Sequence, residues 1–260
     1  MGRIHAFEIE DQAWCPAPIR DAATDFLQFA LHLGNQYAPI APLLADALRR
    51  AGTTRIIDLC AGGGGPWSRL LPALHEAGIR SEVCLTDRFP NHEAFRAASE
   101  RSGGALSFEP EPVDATAVPS HLRGLRTVFT AFHHFEPEAA RAILLDAVRA
   151  RQPIAVFEAT ERTAPAVAGM VFSPLLTLGV TPFIRPRRIS RILLTYLLPV
   201  VPLVVLWDGV VSCLRTYSVP ELEKLVAGIP ESGTYDWSIG KVKSRAPVPV
   251  TYLIGVPAGG

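Results

Sequence analysis

A carboxylate and a run of glycines follow an apolar segment in the first quarter of the chain. Asp58 comes directly after two isoleucines, and four consecutive glycines occupy residues 62–65, just before Pro66. Glycine has no Cβ atom, so a ligand can approach its backbone closely. The start of a helix also presents unpaired N–H groups, which favour a negative ligand group such as a carboxylate. The stretch therefore predicts a ligand-binding loop between a strand and a helix.

The spacing of the glycines argues against two common phosphate-binding loops. A dinucleotide-binding loop has the pattern G-x-G-x-x-G, but the third glycine position counted from Gly62 is Trp67. A P-loop ends in Gly-Lys-Ser/Thr, and this stretch contains no lysine. Pyrophosphate binding is therefore disfavoured, and an NAD(P)-dependent oxidoreductase remains the alternative enzyme class.

The surrounding segments alternate between strand-like and helix-like patterns, which predicts an α/β fold with a parallel sheet. Two helical segments, 20–33 and 38–52, precede the first strand. The predicted strands are residues 54–60, 79–87, 106–114, 125–132 and 153–160, and the predicted helices between them are 66–78, 91–104 and 136–150. Two last strands, 234–244 and 249–257, have a short connection and predict an antiparallel hairpin. The expected fold is a Rossmann-like, mostly parallel, seven-stranded sheet with a C-terminal hairpin.

Length and composition limit the range of functions. The 260 residues suit one domain, with an N-terminal helical cap (1–52), a ligand-binding core (53–160), an apolar insertion (161–217) and a final helix and hairpin (218–260). Lys+Arg and Asp+Glu are both 25, which gives no electrostatic case for nucleic acid. The four cysteines lack CxxC spacing, so neither a metal site nor a disulfide framework is indicated. The N-terminus does not have a signal-peptide pattern, so we expect a cytoplasmic protein.

The glycine loop and its surroundings resemble the class I S-adenosylmethionine (SAM)-dependent methyltransferases over residues 54–160, and the terminal hairpin supports the resemblance. The first motif of that family is an acidic residue followed by Gly-x-Gly-x-Gly, and this chain has DLCAGGG at residues 58–64. Cys60 replaces the first glycine, which is tolerable if its φ stays negative. The resemblance implies that Asp58 orients the loop or the amino group of SAM. It also implies that the loop lies against the methionine part of SAM through Cys60, Ala61, Gly62, Gly63 and Gly64.

The resemblance extends to the ends of the second and third strands. The family places an acidic residue after strand 2 to bind both ribose hydroxyls, and Asp87, next to Arg88, fits that position. A carboxylate can accept from two hydroxyl donors. Asp114, beside Ala115, matches the residue that meets the adenine amino group, although Asp-Ala-Thr is also a turn sequence.

Two other segments are expected near the reactive end of SAM. The resemblance places Thr130 and Phe132, at the end of strand 4, beside the sulfonium. In many methyltransferases an N-terminal helix closes over the cofactor, and a tyrosine there touches its carboxylate. Tyr37 and Asn35 are the candidates for that contact, while packing of Tyr37 beside Pro39 is the alternative.

The candidate catalytic residues follow strands 4 and 5. His133 and His134 come after strand 4, and histidine has a pKa suited to removing a proton from a methyl acceptor. Either histidine could instead position the substrate or pack, and the sequence does not choose between them. Glu158 ends strand 5 and reaches the same edge, unless it forms an ion pair with Arg162 or another nearby arginine.

A long apolar stretch interrupts the pattern at residues 163–207. Two uncharged runs, 163–184 and 192–207, flank the sequence RPRRISR. One interpretation is a lid whose apolar inner face lines the substrate pocket. A second is additional core, and a third is peripheral contact with an anionic membrane surface. The proline, glycine, serine and threonine content of the first run makes it a poor membrane span.

The segment after this insertion contains two further candidate residues. Asp208 and Tyr217 are expected near the substrate, with an Asp208–Arg215 ion pair as the alternative. Ser218 followed by Glu221 is a capping-box pattern, which predicts that a helix begins there.

The combined interpretation is a methyltransferase that uses SAM to methylate an O or N atom of a small, lipophilic or aromatic metabolite. No nucleic acid partner and no metal are expected. The alternatives are the NAD(P)-dependent oxidoreductase and a membrane-surface protein that has the methyltransferase fold without turnover.

Overall fold

A seven-stranded sheet forms the centre of the protein, whose computed structural model describes residues 2–243 and 248–259. The strands are β1 (Arg55–Leu59), β2 (Glu82–Leu85), β3 (Leu106–Phe108), β4 (Leu125–Phe129), β5 (Ile154–Glu158), β6 (Tyr235–Val242) and β7 (Val250–Pro257). Their order is β3-β2-β1-β4-β5-β7-β6; the first five are parallel, and β7 runs antiparallel to both β5 and β6. The mostly parallel sheet and the C-terminal hairpin are therefore confirmed. Residues 244–247, which include the predicted end of the first hairpin strand, lie outside the described ranges.

Helices surround the sheet and also form the insertion. They are α1 (Ala17–Leu33), α2 (Ala41–Ala51), α3 (Trp67–Glu76), α4 (His92–Arg101), α5 (Pro137–Arg149), α6 (Ala164–Met170), α7 (Ser173–Val180), α8 (Ile189–Ile192), α9 (Val200–Arg215) and α10 (Val219–Ala227). The capping box at Ser218 is present, and its backbone N–H donates to the Glu221 carboxylate over 2.8 Å. Helix α2 ends at Gly52, whose φ of 61° closes the helix in the left-handed conformation.

The core consists of two clusters. One contains Leu44 and Trp67 and packs α2 and α3 on the sheet; the other contains Ile143 and Leu225 and packs α5 and α10. Burial of each large apolar side chain contributes about 1.5–3 kcal/mol. This packing holds β1, β2 and β4 side by side, so their carboxyl ends meet at one edge of the sheet.

Two strands end three or more residues earlier than the sequence predicts. β3 stops at Phe108 instead of residue 114, because Pro110 and Pro112 have no N–H to donate to a ladder. β4 stops at Phe129 instead of residue 132, because Thr130 has a φ of 43° and leaves the extended conformation. Residues Phe132–His134 then form a short 3₁₀ turn.

The insertion packs against α1 at the side of the sheet. Arg191 donates to Asp25 over 2.5 Å, and Arg188 donates to Asp21 over 2.9 Å. In the described part of the chain, no single helix is long and apolar enough to cross a membrane. Two bent helix pairs meet the length and composition criteria together, and their bends are 44° for Ala164–Met170 with Ser173–Phe183 and 82° for Ile189–Leu197 with Val200–Arg215.

Candidate active site

A cavity of about 410 Å³ opens at the carboxyl ends of β1, β2 and β4. One wall is the glycine loop, and the opposite wall is formed by the residues after β4. The cover consists of α1 and of Glu10 and Asp11 from the N-terminal segment. The guanidinium of Arg20, on α1, lies 4.7 Å above the ring of Phe89, which follows β2. The cavity is thus enclosed between the sheet edge and the N-terminal part of the chain.

The glycine loop needs a backbone conformation that other residues rarely adopt. Gly62, Gly64 and Gly65 have φ values of 51°, 108° and 68°. Cys60 has a φ of 58°, so the expectation of a negative φ at this position is wrong. The chain must turn sharply after β1 in order to begin α3, and it does so with a cysteine in the left-handed region. Such a conformation costs about 1–2 kcal/mol for a residue with a Cβ atom.

Asp58 stabilises the conformation of the glycine loop through buried hydrogen bonds. Its carboxylate accepts from the indole N–H of Trp67 and from the hydroxyl of Thr127, both over 2.7 Å. Burial raises the pKa of Asp58 to about 7, although the two hydrogen bonds oppose this shift. A Cβ atom at Gly65 would lie 2.6 Å from the Asp58 carboxylate and 2.8 Å from the Trp67 nitrogen. Asp58 therefore orients the loop and the start of α3, and Gly65 leaves room for that contact.

The remaining glycines differ in what lies beside them. A Cβ atom at Gly63 would lie 2.7 Å from the Gln28 amide oxygen, and one at Gly64 would lie 3.3 Å from Ala98. These two positions are small because α1 and α4 pack on them. A Cβ atom at Gly62 would meet a single neighbour, Thr24, at 4.0 Å. Gly62 is thus the glycine of this run that leaves open space on the cavity side.

Asp87 connects β2 to the glycine loop. One carboxylate oxygen accepts from the N–H of Gly62 over 2.8 Å, and the other accepts from the N–H of Phe89 over 2.8 Å. Asp87 is half-buried and lines the cavity. Each oxygen has a second lone pair, so the carboxylate can still accept from a ligand hydroxyl.

Tyr37 and Thr130 meet at the far end of the cavity. The Tyr37 hydroxyl forms a short hydrogen bond with the Thr130 hydroxyl, which also accepts from the N–H of Ala159. The Tyr37 ring packs edge-on against Phe129, with ring centroids 5.1 Å apart. Tyr37 therefore fixes the chain where β4 ends.

The two histidines after β4 have different surroundings. His133 is 1% exposed, and its Nδ1 donates to Glu158 over 2.6 Å. Glu158 also accepts from the N–H of Phe132 over 2.7 Å, while Arg162 pairs with Glu221 instead. The alternative in which Glu158 forms an ion pair with Arg162 is therefore wrong. The buried His133–Glu158 pair lies behind the cavity wall and holds the turn that carries His134.

His134 lines the cavity and carries a positive charge. Its Nδ1 lies 2.8 Å from Asp11 and 3.2 Å from Glu8. Burial alone would lower the pKa of His134, but the two carboxylates raise it to about 10. At neutral pH the ring is therefore an imidazolium, which can donate a hydrogen bond and cannot accept a proton.

Glu8, His133 and His134 have ligand atoms within 4.8 Å of one another, a spacing that metal sites also show. The guanidinium of Arg215 lies 3.1 Å from Glu8 and 2.9 Å from Asp11. Arg215 and His134 thus already place positive charge beside the carboxylates of Glu8 and Asp11.

The chain was compared with protein families, curated proteins and solved structures, and only the solved structures gave matches. No protein-family model matches the chain, and the comparison with curated proteins found no match. The structure is similar to the O-methyltransferase NcsB1 from neocarzinostatin biosynthesis, in complex with S-adenosyl-L-homocysteine (SAH) and 1,4-dihydroxy-2-naphthoic acid. The TM-score is 0.54 at 17% identity, over 93% of this chain and 59% of that chain. It is also similar to mitomycin 7-O-methyltransferase MmcR, with a TM-score of 0.52 at 18% identity over 88% and 56% of the two chains.

The strand order with its antiparallel last pair, together with these likenesses, decides the architecture. The chain has the class I methyltransferase fold. It spans 56–60% of the length of the first solved structures that it matches. A putative zinc-dependent alcohol dehydrogenase from Rhodobacter sphaeroides also matches, with a TM-score of 0.50 at 12% identity over 91% of this chain and 98% of that chain. Likeness at such identity assigns the methyltransferase fold and leaves the activity to be argued from the site.

Most of the residues that the methyltransferase fold predicts for the cofactor do line the cavity. They are Tyr37, Cys60, Ala61, Gly62, Gly63, Asp87, Arg88 and Thr130, and Asn35 lines it as well. Asp58, Gly64 and Phe132 lie behind this wall as supports. Of the candidate catalytic residues, His134 reaches the cavity, while His133 and Glu158 lie behind it.

Asp114 and Ala115 do not line the cavity. Asp114 is exposed, and one of its oxygens accepts from both the N–H and the hydroxyl of Thr116, over 2.8 and 2.7 Å. This is the turn that the sequence Asp-Ala-Thr also permits. Ala115 is buried in the core beside α5.

Asp208 and Tyr217 do not line the cavity. Asp208 accepts from the N–H groups of Ile9 and Glu10 over 2.7 and 3.2 Å, while Arg215 pairs with Glu8 and Asp11, so the alternative of an Asp208–Arg215 ion pair is wrong. The Tyr217 hydroxyl donates to the carbonyl of Phe135 over 2.8 Å. Asp208 therefore anchors the N-terminal segment, and Tyr217 supports the turn after β4.

The insertion does not form the predicted lid. Among the described residues that line the cavity, none belongs to residues 163–207. The cover comes instead from α1, where Asp21, Thr24 and Gln28 face the cavity, and from Glu10 and Asp11. The polar stripe at positions 21, 24 and 28 has helical spacing on one face and was the signal that could have revealed this cover.

Proposed function

We propose that the protein is a SAM-dependent methyltransferase that methylates an oxygen atom of a small aromatic or lipophilic metabolite. The observation that carries the proposal is the Asp87–Gly62 hydrogen bond at the open edge of the sheet. It places a carboxylate and an uncrowded glycine on one cavity wall, where α/β sheets of this kind bind nucleotide-like ligands.

The residues present fit SAM. Gly62 leaves open space beside the backbone, and the start of α3 presents N–H groups that suit a carboxylate. Asp87 would accept from the ribose hydroxyls, and Tyr37 and Phe129 would face the positive sulfonium with aromatic rings. When bound, SAM supplies an electrophilic methyl group. The volume of about 410 Å³ lies in the usual range for small-ligand pockets.

His134 supports an acidic hydroxyl as the methyl acceptor. An imidazolium at the cavity wall stabilises a nearby anion, so it would lower the pKa of a bound phenol and favour the nucleophilic phenolate. In this role His134 holds its proton at Nδ1 against Asp11 and acts by charge. Removal of the acceptor proton would then fall to solvent, since a histidine with a pKa of about 10 is already protonated.

The cavity wall also supports an aromatic acceptor. Leu27, Leu31, Phe129 and Phe135 form an apolar part of the cavity wall, which suits the flat ring of a lipophilic molecule. NcsB1, whose fold this chain shares, was crystallised with naphthoic acids. Naphthoic acids and simple phenols are therefore suitable first probes for turnover.

Calorimetric titration of the purified protein with SAH, NADH and NADPH in parallel tests the proposal. We expect micromolar binding of SAH and no binding of the nicotinamides. Binding of NADH or NADPH alone would replace the proposal with the oxidoreductase. Binding of SAH without methylation of any probe or extract component would favour a methyltransferase fold that has lost turnover.

A further inference from the structure

The insertion between β5 and α10 exposes its apolar side chains. Eleven large apolar side chains between residues 171 and 198 are exposed, and we call this set the apolar surface. Phe172, Leu175, Phe183, Ile189 and Leu197 are 68–77% exposed. A water-soluble protein rarely leaves a contiguous apolar area of more than a few hundred Å² uncovered. The surface therefore needs a partner that covers it.

The interior of the same segment is polar. Its five buried residues are Thr177, Thr181, Ile184, Arg191 and Thr195. The hydroxyls of Thr177 and Thr181 donate to the carbonyls of Ser173 and Thr177, over 2.8 and 2.7 Å. In a helix that faces water, the apolar side chains lie inside and the polar ones outside. In this segment the polar side chains lie inside and the apolar ones outside. Such an arrangement is expected for helices whose outer face contacts an apolar environment instead of water.

The two arms of the insertion lie beside each other. The hydroxyl of Tyr196 donates to the carbonyl of Leu178 over 2.5 Å, which joins the π-helical turn Leu193–Leu197 to α7. The bends of 44° and 82° prevent either arm from forming a straight span. Helical turns satisfy most of the main-chain groups in both arms, which is a condition for contact with hydrocarbon. This geometry suits shallow insertion into one leaflet, as amphipathic surface helices do.

The charges of the segment complement an anionic surface. Residues 163–207 contain four arginines and no aspartate, glutamate or lysine. Arg188 and Arg191 pair with carboxylates of α1. Arg185 and Arg187 are exposed, and no ion pair of theirs occurs within the described ranges. A guanidinium binds phosphate oxygens through two parallel hydrogen bonds.

We propose that the apolar surface inserts into one leaflet of an anionic lipid bilayer, with Arg185 and Arg187 at the lipid phosphates. A second copy of the chain is a poorer partner, because two such surfaces would place unpaired arginines opposite each other. The proposal concerns a face of the molecule that is separate from the cavity, so it does not depend on the methyltransferase activity.

Flotation of the full-length protein with lipid vesicles tests the proposal. One set of vesicles contains phosphatidylcholine alone, and the other also contains phosphatidylglycerol. Leu175→Glu with Leu197→Glu places charges on the apolar surface, and Arg185→Glu with Arg187→Glu reverses the unpaired cations. The matched control is Arg80→Glu with Arg123→Glu, which reverses two exposed arginines in the loops before β2 and β4, at the opposite edge of the sheet.

We expect the wild-type protein and the control to float with the anionic vesicles and much less with phosphatidylcholine alone. Each arginine near an anionic surface contributes about a fivefold factor in partitioning. The arginine variant should therefore lose at least roughly 25-fold in partitioning, and the leucine variant should stay with the soluble fraction. Thermal melting and SAH titration check that each variant is folded and keeps its cavity.

Three results would overturn the proposal. The first is wild-type protein that floats with neither vesicle type, and the second is variants that bind as well as the wild type. The third is a dimer in solution, measured by light scattering, that dissociates in the leucine variant while the wild type does not bind lipid. A second copy would then be the partner of the apolar surface.

Discussion

The backbone N–H of Gly62 lies 2.8 Å from the carboxylate of Asp87 and donates a hydrogen bond to it. This contact joins the loop after β1 to the end of β2 across the opening of the cavity. A single side chain therefore both shapes the glycine loop and presents acceptor oxygens to a ligand.

Asp87→Ala should weaken SAH binding, because the variant loses the acceptor for the ribose hydroxyls and the anchor of Gly62. The loss of one charged hydrogen bond corresponds to about 1.5–3 kcal/mol of binding free energy. Asp114→Ala is the matched control, since Asp114 lies in an exposed turn. Calorimetry should give wild-type affinity for the Asp114 variant. Equal losses in both variants would restore Asp114 to the cofactor site.

Substitutions of His133 and His134 should affect different properties: the first the stability of the fold, and the second the rate of methyl transfer. His133→Ala leaves the Glu158 carboxylate buried without its partner, so the free energy of unfolding should fall by about 3–5 kcal/mol. His134→Gln should keep SAH affinity within about twofold but reduce methyl transfer to phenolic probes at least about tenfold, because the cation beside the acceptor is lost. Urea denaturation and transfer of labelled methyl measure the two effects. Full turnover in the His134 variant would contradict the proposed charge effect.

Gly65→Ala should be much more destabilising than Gly78→Ala. Both glycines have positive φ, with values of 68° and 80°, so both variants suffer a backbone cost of about 1–2 kcal/mol. A Cβ atom at residue 65 would also collide with the Asp58–Trp67 hydrogen bond, whereas one at residue 78 would meet nothing within 4 Å. Urea denaturation of the two variants gives the difference. Similar losses would mean that the loop adjusts without disturbing Asp58.

Cys60→Gly should be more stable than Cys60→Ala. Both variants remove the thiol, so the comparison isolates the φ of 58° at this position. Alanine keeps a strained Cβ atom, and glycine does not, although glycine gains more freedom in the unfolded chain. We expect a difference of about 0.5–1 kcal/mol in the free energy of unfolding. A more stable alanine variant would show that residue 60 adopts another conformation.

Stability should fall as the pH rises from about 7 to about 8.5. In the folded protein the pKa of His134 is raised to about 10 by Glu8 and Asp11 against the effect of burial, and burial raises the pKa of Glu10 to about 8. Both groups are largely deprotonated in the unfolded chain over this range, so the folded state binds more protons. Each proton contributes a slope of at most about 1.4 kcal/mol per pH unit.

Urea denaturation across this pH range measures the slope, and His134→Gln should reduce it. Carboxylates with a lowered pKa, such as that of Glu158, titrate at lower pH and do not contribute. A flat profile in the wild type would show that His134 does not hold its extra proton.

The sequence predicted the sheet well because its signals are local. Apolar runs bounded by glycine and proline define β1, β2 and β5, and the capping box at Ser218 defines the start of α10. Asp87 was also predictable, because the end of a parallel strand fixes the position of the next residue at the sheet edge. The contacts of Asp114 depend on which way a loop side chain points, which local sequence signals do not determine.

An N-terminal helical cap was expected, but the part of the cover formed by Glu10 and Asp11 could not be predicted, because it depends on contacts between distant parts of the chain. Glu10 is held by the N–H contact to Asp208, almost 200 residues away in the sequence. The rings of His133 and His134 lie 4.3 Å apart, yet the Nδ1 atom of His133 faces Glu158 and that of His134 faces Asp11. An apolar segment after β5 suggests a lid by composition alone, whereas its position is set by the pairing of Arg188 and Arg191 with α1.

Helix α1 lies between the cavity and the insertion and contacts both. Thr24 and Gln28 face the cavity, Asp25 binds Arg191 of the insertion, and Asp21 does both. Any redesign of the cavity through α1 must therefore preserve the contacts of Asp21 and Asp25 with the insertion. Conversely, a chimaera that exchanges the insertion must carry α1 with it, so these two segments form one unit for engineering.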